Sequence, residues 1–300
     1  CLKKQLGDVE IHFATKKSYA SLLVENPYLS KVHALGNDWD NFINPLKSEG
    51  FEILIDLHNN IRTRRLSSAL GIKTHRFNKL NKEKWILVNL KRDKLPDVHI
   101  VDRYIDTCRK LEIKNDHEGL DYFIPENVDF DTSKTSGSYI TLAIGGQHKT
   151  KKMPTQQLAA LMRMIQFPMA IIGGPEDREI GELLENEVDF ATNYCGKTSV
   201  NESARIIEES KLLITHDTGM MHIGAALKKD VLSIWGNTVP KFGMTPYQAG
   251  SNSQIFEVNN LNCRPCSKIG FDKCPKGHFK CMVDQNVSAI ANAALVLLRE

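Results

Sequence analysis

Leu212-Leu213-Ile214-Thr215-His216-Asp217-Thr218-Gly219-Met220-Met221-His222-Ile223-Gly224-Ala225-Ala226-Leu227 passes from an apolar run through a polar turn into a run of small and apolar residues. Leu212–Thr215 has the short apolar character of a buried parallel strand, and Val231–Trp235 repeats it one helix later. Between them Asp217 or Thr218 can cap a helix over Met220–Leu227, and Gly219 lets an anion approach the free N–H groups of its first turn. His222 falls one turn after Thr218 on the same face, where an imidazole can donate to an anionic oxygen. Gly224, Ala225 and Ala226 allow that helix to lie close against a sheet. A capped helix with a surface histidine accounts for the same letters, so the turn alone leaves both readings open. Asp-Thr-Gly is also the aspartic-protease signature, but that chemistry needs two carboxylates sharing a proton on an all-β scaffold. The chain has one copy, on a strand-to-helix turn.

Outward from this turn the second half reads as a run of βα units. Strands are expected at Tyr139–Ile144, Met169–Ile172 and Phe190–Tyr194, and helices at Thr155–Met164, Asp177–Glu187 and Val200–Ser210. That alternation implies an α/β class with a doubly wound parallel sheet, in which ligands collect at the carboxyl ends of the strands. Two further strand ends carry unusual residues. Gly145-Gly146-Gln147-His148-Lys149-Thr150-Lys151-Lys152-Met153-Pro154 combines two glycines with positive charge before a helix, although it lacks the GxGxxG and P-loop spacings. Gly173-Gly174-Pro175-Glu176-Asp177 places acids where they cap a helix or accept from a ribose diol.

The first half is less regular. Glu10–Thr15, Ile53–Leu57 and Ile86–Leu90 read as strands and Lys17–Glu25 as a helix. A polar, aperiodic linker is expected over Phe123–Gly137, dividing the chain into residues 1–131 and 132–300. A length of 300 residues agrees with two cores. No apolar run approaches the ~20 residues that span a bilayer, and the start at Cys1-Leu2-Lys3-Lys4-Gln5 does not read as a signal peptide. A soluble, cytoplasmic protein is expected.

The net charge of +3 hides a strong asymmetry. Arg62 to Lys94 holds eleven Lys or Arg against Glu83 and Asp93. Such a stretch is either a solvated face or a site for an anionic partner. Phe77 and Trp85 are the only aromatics in it, which is poor support for nucleic-acid binding. Four cysteines cluster as Cys263-x2-Cys266-x7-Cys274-x6-Cys281 with His278 nearby. In a reducing compartment that pattern points to a structural zinc or to reduced buried thiols, and the spacing does not choose between them.

Taken together, these segments resemble glycosyltransferase family 9, the ADP-heptose:lipopolysaccharide heptosyltransferases. The resemblance rests on Asp217-Thr218-Gly219-x-x-His222, the small-residue helix, Val231–Trp235 and Gly236-Asn237-Thr238. Lys151-Lys152-x-Pro154, the Gly173–Asp177 turn, Asn26-Pro27-Tyr28 with Lys31-Val32, Asp56–Arg62 and Val101–Tyr104 support it over essentially the whole chain. It implies the GT-B architecture, with two Rossmann-like domains facing a cleft, acceptor on the N-terminal side and donor on the C-terminal side. By the resemblance Gly146, Lys151, Thr218 and Gly219 contact the donor phosphates, Glu176 or Asp177 the ribose, and Asp217 and His222 the sugar–phosphate region. Lys151 stabilises leaving-group charge without a catalytic metal, in an inverting displacement. Arg62, Arg64 and Arg65 would receive an anionic glycolipid acceptor, the core of a lipopolysaccharide, with peripheral contact at the inner face of the inner membrane and no nucleic acid as partner.

The family's general base is an Asp on a Ser-x-x-Gly-Asp turn between a first strand and a helix. Gly7-Asp8-Val9 does not fit, because Glu10–Thr15 after it is strand-like. The base is therefore expected upstream of Cys1, with this polypeptide inactive or nearly so. Two alternatives keep the same pocket: a nucleotide-diphosphate-binding module without catalysis, and a GT-B enzyme using another nucleotide sugar.

Overall fold

The computed structural model describes residues 1–128 and 137–299, which form two compact units. The first comprises Cys1–Asn81 with Val98–His117, the second Lys82–Asp97 with Glu118–Glu300. The boundary expected between Asp131 and Thr132 lies outside the described residues, as does most of the expected linker.

The first unit runs α1 (Leu2–Leu6), β1 (His12–Lys16), a 3-10 segment over Lys17–Leu22, β2 (Lys31–Leu35), α2 (Trp39–Ser48), β3 (Ile53–Asp56), α3 (Ile61–Leu70) and β4 (Lys73–Arg76). After an excursion into the second unit it ends with α5 (Ile100–Asp106). β1 pairs with β2 and β3 with β4, both in parallel, and no ladder joins the two pairs among the described residues. Asp38 caps α2 by accepting from the Asp40 and Asn41 N–H groups. Phe42, Ile43 and Leu46 of that helix meet Leu66 of α3 in a small core flanked by Leu35 and Leu54.

The excursion carries α4 (Asn81–Leu90), where the sequence suggested a strand at Ile86–Leu90. A five-residue apolar run does not distinguish a strand from a buried helix turn. The helix is anchored within the second unit: Lys91, just after it, donates from Nζ to the carbonyls of Val88, Cys263 and Pro265, and Lys84 lies over the Phe242 ring. The basic stretch accordingly divides, with Arg62–Lys79 in the first unit and Lys82–Lys94 in the second.

The second unit continues with β5 (Ile140–Ala143), α6 (Thr155–Ile165), β6 (Met169–Ile172), α7 (Arg178–Glu187), β7 (Ala191–Asn193) and α8 (Val200–Glu209). It closes with β8 (Leu213–His216), α9 (Gly219–Ala226), β9 (Val231–Trp235), β10 (Gln254–Glu257), α10 (Lys280–Val283) and α11 (Val287–Leu297). The six strands form one parallel sheet in the order β10-β9-β8-β5-β6-β7. Every residue of β5, β6, β8 and β9 is buried, as both-face cover by helices demands. Leu158, Leu161 and Met162 of α6, Leu184 of α7 and Ile290 of α11 fill one face, Ile206 and Ile207 of α8 and Met221 and Ile223 of α9 the other.

This order places the topological switch point between β5 and β8, because the chain winds outward through β6 and β7 and then returns to the far side of β5. The crevice beyond the carboxyl ends of those two strands is where such a sheet binds ligands. α9 lies tight against the sheet at Gly224, where an added Cβ would come within 2.5 Å of Leu213 Cδ2 and 3.4 Å of Val231 Cγ2. Gly224→Val should therefore cost about 1–3 kcal/mol by overpacking. Chemical denaturation would show a lowered midpoint, whereas an unchanged midpoint would mean that the helix is free to shift outward.

Candidate active site

Three strand ends meet at the switch point. The 3-10 turn Lys149–Lys151 after β5 supplies Lys151, whose Nζ donates to Asp217 Oδ2 at 2.6 Å and to the Asp217 carbonyl at 3.2 Å. The same carboxylate oxygen accepts from Thr238 Oγ1 at 2.8 Å, so residues following β5, β8 and β9 are tied at one atom. Asp217 is buried; Lys151 retains some exposure. Thr218 stands at the N-cap of α9 but makes no side-chain cap, and its hydroxyl lies 3.4 Å from that of Thr215. The first turn of α9 thus begins without a side-chain acceptor of its own. Gly219 is exposed, and a Cβ there would meet no atom within 4 Å. Across the turn, a Cβ on Gly146 would touch Thr218 Cγ2 and Lys152 Cγ, each at 3.5 Å. The structure therefore brings Gly146, Lys151, Asp217, Thr218 and Gly219 together. His222 sits half-buried in the first turns of α9. An open helix N-terminus beside a lysine held by a carboxylate is suited to receiving a diphosphate.

The acids after β6 separate sharply. Asp177 is fully buried; its Oδ1 accepts from Lys152 Nζ at 2.5 Å and its Oδ2 from the Gly174 N–H at 2.9 Å. Glu176 is exposed, so of the two it is the carboxylate open to a ribose. Asp177 instead fixes Lys152 and the Gly173-Gly174 turn.

His216, which the sequence offered only as part of the turn, is a structural hub. Its Nε2 accepts from the Met153 N–H at 3.0 Å and its Nδ1 faces the Gly145 carbonyl at 3.4 Å, an arrangement satisfied by the neutral Nδ1–H tautomer. Burial is the largest influence and pushes its pKa down to about 4. An unfolded histidine titrates near 6.5, so the unfolded chain binds the extra proton first as pH falls. The contribution is complete above pH 6.5 and is lost as pH falls toward 4, by which point the loss amounts to about 3 kcal/mol. Subtracting the pH–stability curve of His216→Gln from that of the parent should reveal this component. Parallel curves between pH 6.5 and 4 would contradict it.

Arg62, Arg64 and Arg65 lie on α3, which starts with a capping box between Asn60 and Thr63. All three are exposed, but helical spacing separates them: Arg62 and Arg65 share a side, whereas Arg64 is turned by about 200° from Arg62. The Arg65 guanidinium lies 4.3 Å from the centre of the Trp39 ring, and Arg64 leans toward Asn59 Oδ1 at 3.4 Å.

The cysteine turn braces the end of β9. Arg264, between Cys263 and Cys266, donates to the carbonyls of Gly236, Val258 and Thr238 and pairs with Glu257 at 2.9 Å. Sequence reasoning passed over this residue, whose only signal was a charged side chain inside a cysteine motif. Cys263 Sγ is 3.8 Å from His278 Nε2, and Cys266 Sγ donates to the Cys263 carbonyl at 3.1 Å. Burial pushes the thiol of Cys266 up to about 11 and that of Cys281 to about 12.

The family model of glycosyltransferase family 9 (heptosyltransferase) matches residues 39–274. Lipooligosaccharide heptosyltransferase 2 of Haemophilus influenzae is 31% identical over 128 residues, 40% of this chain and 37% of that protein. The chain thus spans little more than a third of the length of that relative and of its counterpart in Campylobacter jejuni. Lipopolysaccharide heptosyltransferase 1 of Campylobacter coli is 21% identical over 273 residues, 79% of this chain and 78% of that protein. Among solved structures, a family 9 glycosyl transferase from Veillonella parvula superposes with a TM-score of 0.77 at 18% identity, over 99% of this chain and 91% of that one. The Escherichia coli ADP-heptose LPS heptosyltransferase II gives 0.70 at 16% identity, over 99% and 92%. The fold is GT-B, with two Rossmann-like α/β units.

Proposed function

The chain belongs to glycosyltransferase family 9, and from that premise we propose that it transfers a heptose from ADP-heptose to the core of a lipopolysaccharide, with inversion and without a catalytic metal. The observation that carries this reading is the turn after β8: an uncapped helix N-terminus with open space at Gly219 and Lys151 beside it. In the proposed reaction an acceptor hydroxyl oxygen bonds to the anomeric carbon as the bond from that carbon to the β-phosphate oxygen breaks. The electron pair leaves on ADP, where Lys151 and the first amides of α9 offset the growing charge. Thr238 and Asp217 hold the Lys151 ammonium in place, Glu176 accepts from the ribose, and His222 serves the sugar–phosphate region.

The hydroxyl proton goes to a general base. With ADP-heptose and a heptose-free core as acceptor, the protein should yield a product heavier by one heptosyl residue. Transfer only from other nucleotide sugars would overturn the donor assignment.

Arg62, Arg64 and Arg65 are proposed to receive the anionic acceptor at the inner face of the inner membrane. No helix among the described residues is long and apolar enough to cross a membrane, so such contact would be peripheral. Exchanging all three for Gln should raise the acceptor KM about tenfold or more and leave the donor KM nearly unchanged. Equal effects on both would assign these arginines to structure.

The cysteine turn belongs to the same proposal as a structural site. Cys263, Cys266 and His278 line one cavity, with Cys274 and Cys281 close by in sequence; among the described residues no three of these donors lie within 4.8 Å of one another, so an ion would have to gather them. That donor set suits zinc, which would brace the loop carrying Arg264. Elemental analysis below about a tenth of an equivalent per chain would remove the idea.

A further inference from the structure

Far in sequence from the cysteine turn, a second group of ligating side chains lies within the first unit. His12 comes from β1, His33 from the paired strand β2, and Glu49 from the C-terminal end of α2. Among the described residues this is the one group of three or more His, Cys, Asp or Glu whose ligand atoms all lie within 4.8 Å of one another. His12 Nδ1 and His33 Nε2 are 3.0 Å apart, with the ring planes inclined by 35°. Phe51 packs edge-on against both rings, its centroid 5.0 Å from that of His12 and 6.3 Å from that of His33.

We propose that His12, His33 and Glu49 form a binding site for a divalent transition-metal ion of zinc type, with water as the fourth ligand. Each imidazole turns one ring nitrogen toward the other, which leaves both nitrogens within reach of a single ion. In the ion's absence a single proton between them accounts for the contact. Zinc–nitrogen bonds of about 2.0–2.1 Å at a tetrahedral angle set the two nitrogens about 3.3 Å apart. The observed 3.0 Å therefore needs an opening of only a few tenths of an ångström.

The outer contacts also suit an ion. Glu10 Oε2 lies 3.7 Å from His12 Nε2, the nitrogen turned away from His33, so a carboxylate stands behind the ligating ring. Lys31 Nζ holds Glu49 Oε1 at 2.5 Å, which orients the carboxylate and leaves Oε2 for the metal. The two histidines are nearly buried, whereas Glu49 is exposed enough to supply an entry path. Two imidazoles and one carboxylate favour zinc, nickel or copper over calcium or magnesium, which prefer oxygen shells. Bound there, the ion would clip β1, β2 and the end of α2 together, a stabilising role unconnected with sugar transfer.

The test is a zinc titration by calorimetry on the whole chain after chelation and removal of the chelator. The cobalt-loaded protein is then examined by absorption, because thiolate ligation at the cysteine turn adds a sulfur-to-metal charge-transfer band and this site does not. The expected result is one equivalent that is lost in His12→Gln and bound at least tenfold more weakly in Glu49→Gln. That equivalent should carry cobalt bands of nitrogen and oxygen ligation only. Glu49 is a surface residue whose exchange leaves the histidine pair and its Phe51 packing in place, so Glu49→Gln keeps the proposal testable even if His12→Gln fails to fold. Unchanged zinc stoichiometry and affinity in folded Glu49→Gln would overturn the proposal, as would thiolate bands on all the bound cobalt.

Discussion

Lys151→Ala is expected to weaken ADP binding about tenfold to a hundredfold, the range for one lost charge-assisted contact. Wherever transfer is measured it should also slow the reaction by about 100- to 1000-fold, since the missing charge matters most as the leaving group forms. The substitution has a structural cost as well, because Asp217 would keep only Thr238 as a side-chain partner in a buried position. Thermal unfolding should therefore shift downward. Adding Asp217→Asn separates the two effects. The double variant should recover stability, since the uncompensated carboxylate is gone, but not ADP affinity. Recovery of ADP affinity together with stability would show that Lys151 serves only the ion pair.

Gly219→Val should produce the opposite pattern: normal stability and almost no ADP affinity. The glycine is exposed, a Cβ there meets nothing within 4 Å, and its φ is not in the left-handed region, so the folded chain accepts a side chain. Exposed changes of this kind usually shift stability by no more than about 0.5 kcal/mol. A diphosphate lying against the first amides of α9 would collide with the valine methyls, and affinity should fall about 100-fold or more. Retained ADP affinity would place the diphosphate elsewhere. The contrast with Gly224, only five residues on, is informative. There the space is already filled by Leu213, so substitution costs stability, not access.

The second unit was largely legible in the sequence because a parallel sheet covered on both faces leaves an unbroken apolar run at each strand. Met169–Ile172 and Val231–Trp235 were read at their observed limits for that reason. The first unit was not. Its strands are only partly buried, as the mixed pattern of His12–Lys16 illustrates, so β2, α2 and β4 carried too little contrast to be seen. Ile86–Leu90 failed differently: a five-residue apolar run fits a strand and a helix turn alike, and the segment is helical and anchored at its end to residues some 170 positions away.

At the candidate site, residue type pointed to Gly146, Lys151, Thr218 and Gly219, which the structure brings together, but not to how the acids are placed. Asp177 looks like a ribose partner by position, yet burial and Lys152 commit it to the turn itself. Thr238 and Arg264 act only through three-dimensional contacts with Asp217 and with the end of β9, which no local pattern encodes. His216 is the reverse case. An imidazole in an apolar strand end reads as incidental, while its two hydrogen bonds tie the end of β8 to both ends of the β5–α6 connection.

Whether the turn after β8 holds a nucleoside diphosphate is read out by calorimetric titration of ADP into this chain. One ADP should bind per chain, more weakly in Lys151→Ala and not at all in folded Gly219→Val. No binding by the parent chain, or equal affinity in all three proteins, would contradict it.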